Sequence, residues 1–76
     1  MTTFIPASQM KEDAIWDYKM HIMERIKHCR EYGKLEYKVP TTINQPIGFT
    51  FIELGYKCEI EVLANSDYVL LKISWF

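Results

Sequence analysis

Apolar residues recur every three or four positions from Ser8 to Tyr32 and at alternate positions after Lys34, and the change falls at Gly33. A pattern with a period of about 3.6 puts its apolar groups in a stripe along a cylinder, and a period of about 2 puts them on one side of a pleated surface. A chain that switches from one to the other therefore has to lay a helix on a sheet. Ile15, Tyr18, Ile22, Ile26 and Cys29 form the stripe of the first element. Ser8 reads as its N-cap, with Glu12 and Asp13 near the positive end of the helix dipole, Lys27 and Arg30 near the negative end, and Gly33 at the left-handed C′ position.

Beyond Gly33, Leu35, Tyr37 and Val39 alternate with Glu36 and Lys38, the pattern of a strand with one buried face, and Pro40 closes it. The next segment predicts a short helix: Thr42 or Asn44 can cap it, Pro46 is tolerated in its first turn, and Ile47, Phe51 and Leu54 share a face before Gly55. Gly48 and the β-favouring run Phe49 to Ile52 weaken that helix. From Tyr56 the alternation returns, with Cys58, Ile60 and Val62 on one side and Lys57, Glu59 and Glu61 on the other. Ala64 to Asp67 is turn chemistry, and DYVLLKISWF is the returning strand. Its odd positions, Val69, Leu71, Ile73 and Trp75, belong against the helices; its even positions include Tyr68, Leu70 and Phe76. The expected architecture is a single α+β domain over residues 1–76, in two layers: helix, strand, helix and hairpin, with a three-stranded antiparallel sheet and both helices on one face.

Composition narrows the function classes. With 76 residues, 49% of them hydrophobic and 14% aromatic, the chain can build one small core and has apolar material left for contacts. A net charge of −1 with both signs interspersed offers no footprint for nucleic acid or for an anionic membrane. The winged-helix alternative fails on the same ground, since NQPIGFTFIEL carries no Lys or Arg to read DNA. Cys29 and Cys58 stand far apart without a CxxC or His-spaced partner, which fits a reducing, intracellular setting better than a disulfide scaffold. The N-terminal MTTFIPASQMKED lacks a leader's basic region and apolar run, and no stretch is long enough to span a bilayer.

Few residues suggest chemistry. Asp17, His21, Glu24 and His28 fall in one row on the first helix, but without an HExxH arrangement, and on the side opposite the apolar stripe. The row reads as a solvated face, with metal binding as its alternative. The cysteines read as small hydrophobes, Ser66 and Ser74 have no GxSxG context, and no glycine-rich phosphate loop exists. These residues argue for no enzyme, no cofactor and no catalytic group. Trp16, Met20 and Met23 form a second stripe about 100° round the helix from the first. Either the second helix or the Phe4–Ile5–Pro6 segment covers it, or it is a contact surface of the kind where Trp and Met are over-used.

Gly33, the Leu54–Gly55–Tyr56 step and the closing Ile73–Ser74–Trp75 together resemble a layout found among short uncharacterised proteins of tailed bacteriophages. The resemblance implies a phage-encoded accessory protein and no particular chemistry. On that basis the expected function is stoichiometric binding, to a host protein or a small signalling molecule in the host cytoplasm, as in host takeover or anti-defence, by a chain that also self-associates. The alternative is a minor structural protein docked on its neighbours in the virion. In either case the expected interface residues are Trp16, Met20, Met23, Tyr68, Leu70 and Phe76. Lys72, in the middle of the even face, limits how dry that contact can be.

Overall fold

A computed structural model describes residues 4–76. The expectation about an N-terminal leader rests partly on residues 1–3, outside the described residues. The elements are α1 (Ala7–His28), β1 (Lys34–Pro40), α2 (Asn44–Glu53), β2 (Lys57–Val62) and β3 (Tyr68–Ser74). They form the expected α+β arrangement, with β3 in the middle of a sheet ordered β1-β3-β2 and antiparallel to both neighbours. β1 and β2 thus run parallel, with α2 crossing between them, and the β2–β3 hairpin fills the gap the crossover leaves.

Register aligns the two faces in rows. On the helix side, Leu35, Ile73 and Cys58 lie abreast, then Tyr37, Leu71 and Ile60, then Val39, Val69 and Val62. The buried core takes Ile22 and Ile26 from α1, Leu35 and Val39 from β1, Ile43, Ile47 and Phe51 along α2, and Val69, Leu71 and Ile73 from β3. β2 contributes no residue to it.

Helix ends show where local signals mislead. α1 begins two residues early: the Pro6 carbonyl accepts from the N–H groups of Gln9 and Met10 at 3.0 and 3.1 Å, and no side-chain hydrogen bond caps the helix. Ser8 therefore lies inside the first turn, and Glu12 and Asp13 lie beyond it. At the other end Cys29 is the cap residue, and a further turn, with Tyr32 N–H donating to the Cys29 carbonyl, precedes Gly33. Gly33 is not the C′ residue. It has φ +80°, and the Phe76 ring lies where its Cβ would be, so glycine is required by backbone conformation and by contact together.

Gly55, in contrast, is a true C′ residue at φ +100°. Its N–H donates to the Ile52 carbonyl at 3.0 Å and Tyr56 N–H to the Phe51 carbonyl at 3.0 Å, which is a complete Schellman motif. The Phe51 and Tyr56 rings close it in an edge-to-face contact at 5.8 Å. Tyr56 in turn meets Trp75 at 6.0 Å, and Trp75 Nε1–H donates to the Arg30 carbonyl at 2.9 Å, tying the chain end to the turn after α1. One expected member of the α2 stripe departs: Leu54 is the cap residue and is exposed, and Ile43 completes the stripe instead. The helix also lacks the expected Thr42 or Asn44 side-chain cap; Ile43 occupies the cap position.

Candidate interaction surfaces

Three surfaces remain after the core is closed. The first lies between α2 and β2. α2 turns Ile47 and Phe51 down onto β3, which leaves Phe49 and Ile52 on the flank toward β2. There Gly48 omits a side chain, and a groove of about 230 Å³ opens over Leu71, walled by Phe49, Ile52, Cys58 and Ile60. Phe49 is 61% exposed, Ile60 48% and Val62 78%. The Cys58 thiol sits 3.7 Å from the Gly48 carbonyl, its one polar contact, and partial burial pushes its pKa up. A thiol so placed behaves as a small hydrophobe lining a groove.

The second surface is the expected stripe on α1. Trp16 is 61% exposed and Met20 is exposed beside it, whereas Met23 is half-buried against the core. Neither α2 nor the Phe4–Pro6 segment buries the tryptophan.

The third is the open face of the sheet, bare of helices. Tyr68 and Leu70 stand at the Pro40 end, and Phe76 lies at the other end over Gly33. Between them runs the row Glu36, Lys72, Glu59. Lys72 Nζ donates to Glu61 Oε1 at 3.2 Å, and this bond, with the fields of Glu61, Glu36 and Glu59, raises its pKa. So Tyr68 and Leu70 on β3 and Phe76 just beyond it do not form one patch: a charged row divides them.

Along the outer side of β1, Tyr18 and Tyr37 meet edge to face at 6.3 Å beside Arg25, Glu36 and Lys38, in a wide, open depression. Desolvation raises the Tyr18 pKa, with smaller contributions from Tyr68 and Tyr37. Asp17, His21, Glu24 and His28 are all exposed on α1, and among the described residues no three His, Cys, Asp or Glu side chains gather to hold a metal ion. No described helix is long and apolar enough to cross a membrane.

Phe49, Ile52, Ile60 and Val62 are exposed apolar residues that sequence reasoning passes over. The signal was present in the Phe49–Ile52 run, where apolar residues occupy more of the helix circumference than one buried stripe uses. The chain matches no protein-family profile, no curated protein and no solved structure.

Proposed function

We propose that this chain is a phage-encoded accessory protein that works by stoichiometric binding rather than catalysis, and that it associates with itself. The observation that supports this most is the placement of its surplus apolar groups: Trp16 and Met20 on α1, and Phe49, Ile52, Ile60 and Val62 around the α2–β2 groove, stay exposed although the core is complete without them. Exposed apolar groups gathered in patches mark contact sites, and tryptophan carries much of the energy at such sites. The α1 stripe, with Met23 at its buried end, is the surface for a protein target in the host. The polar open face, where Tyr68, Leu70 and Phe76 are separated by Lys72 and its carboxylates, forms the rim of the molecule rather than its main contact.

Light scattering over a dilution series tests self-association directly, and a closed oligomer of fixed mass is expected. A monomer at every concentration would contradict the reading. Trp16→Ala should leave the unfolding curve nearly unchanged and weaken target binding by about 2 kcal/mol or more.

A further inference from the structure

Among the described residues, strand order leaves the outer edges of β1 and β2 without a hydrogen-bonding neighbour. Exposed edges invite pairing with another chain unless something protects them, such as a covering element, a proline or an inward charge. β1 has such protection: it ends in Pro40, its core-facing Leu35 and Val39 are buried, and Tyr18 and Arg25 of α1 stand over its flank. β2 has none. It contains no proline, its apolar side is open at Ile60 and Val62, and the α2–β2 groove runs along it.

We infer that β2 pairs antiparallel with β2 of a second copy of this chain, about a two-fold axis at Cys58, making a six-stranded sheet in which the α2–β2 groove is covered by the partner. This rests on the reading of the chain as self-associating and specifies the surface.

Charge selects both the partner and the register. A two-fold axis normal to the sheet passes through a residue and keeps both helix layers on the same side, so only a few registers are available. Centring on Ile60 sets Glu59 against Glu61 of the second copy twice; centring on Glu59 sets Lys57 against Glu61 twice but also sets two Glu59 side chains against each other on the axis. Centring on Cys58 sets Lys57 against Glu59 of the second copy twice, with no like charges opposed; the ladder is then short, Lys57 to Glu59, because Tyr56 precedes β2 and Gly55 has φ +100°, and beyond it Ile60 and Val62 meet Tyr56 and the end of α2 of the other chain. Opposite charges facing across a strand pair stabilise it, and like charges destabilise it. β1 could also pair with itself without like charges, about Tyr37, but it has no exposed apolar side chain of its own to bury in doing so. The β2 edge combines self-complementary charge with uncovered apolar area.

In this register the two Cys58 side chains face each other on the axis, with Cα atoms about 4.5–5.5 Å apart, inside the range a disulfide spans. Mild oxidation of the full chain by copper–phenanthroline and oxygen should yield a covalent dimer on a non-reducing gel. The dimer should persist in Cys29→Ser and vanish in Cys58→Ser. A second measurement does not depend on thiol reactivity: Lys57→Glu should raise the dimer dissociation constant at least about tenfold, and Lys57→Glu with Glu59→Lys should restore it. Lys57 and Glu59 are exposed in the monomer, so the charge variants retain the fold. A dimer that ignores the charge changes and resists cross-linking at Cys58 would overturn this surface and leave self-association standing. Open-ended polymers would overturn the two-fold arrangement, and a chain monomeric throughout would overturn both readings.

Discussion

Val39 and Val62 flank the same residue, Val69, on the same face of the sheet from opposite sides. Val39 is fully buried and Val62 is 78% exposed. Neither residue type nor alternation distinguishes them; the difference lies in what is overhead. α1 spans the β1 side with Ile22 and Ile26 pointing into the core, while α2 is short, stops at Glu53, and packs on β2 and β3 without covering Ile60 and Val62. One edge of the sheet is thus finished by the chain itself and the other is not.

Substitutions can break this comparison or sharpen it. The largest effect should come from the shared centre: Phe51→Ala removes a core ring that also closes the Schellman motif, and should lower stability by about 3–5 kcal/mol in urea unfolding. The two valines come next. Val39→Ala should cost about 1.5–3 kcal/mol, and Val62→Ala, measured on the dilute monomer, no more than about 0.5 kcal/mol. Equal costs would mean that the two edges are covered alike. Trp75→Phe keeps most of the ring contact with Tyr56 and loses the hydrogen bond to the Arg30 carbonyl, so about 1 kcal/mol is expected, with the loss concentrated at the β1 end where Gly33 pairs with Trp75.

The smallest effect is pH dependence on the alkaline side. Cys58, Tyr18 and Lys72 all have raised pKa values in the fold, by desolvation for the first two and by the Glu61 hydrogen bond for the third. Each holds its proton more tightly folded than unfolded. Their contribution is therefore fully present below the ordinary values of these groups and declines as pH rises through them, Cys58 first and Tyr18 and Lys72 after it. Unfolding midpoints measured from neutral to alkaline pH should fall in that order, and Cys58→Ala should remove the earliest part of the fall. Lys72 and its partner are solvent-exposed, so its share is small.

Much of the fold was legible because local and long-range preferences agree. Gly55 followed by Tyr56 marked a helix end that the structure builds in full, and the odd and even faces of β3 separate as alternation requires. Gly33 reads as a C-cap because a glycine after a helical stretch suits that position whether or not the helix reaches it; its real constraint is its positive φ and the ring of Phe76, a contact far along the chain that no local pattern carries. The central place of β3 was equally hidden, since a hairpin pairs β2 with β3 in any strand order. The surfaces divide in the same way. The α1 stripe could be read from spacing around one helix, whereas the α2–β2 groove exists only because α2 buries Ile47 and Phe51, turns Phe49 and Ile52 outward, and has no side chain at Gly48 to fill the space beside β2. Alternation shows which side of a strand is apolar, and only the placement of the second layer shows whether that side is covered.

Amide hydrogen exchange on the two edge strands, followed over a range of protein concentrations, tests the central claim most directly. If a second copy completes β2, its amides should gain protection as concentration rises while those of β1 stay at the level set by the monomer. Protection of β1 and β2 that moves together, or that does not move at all, would contradict it.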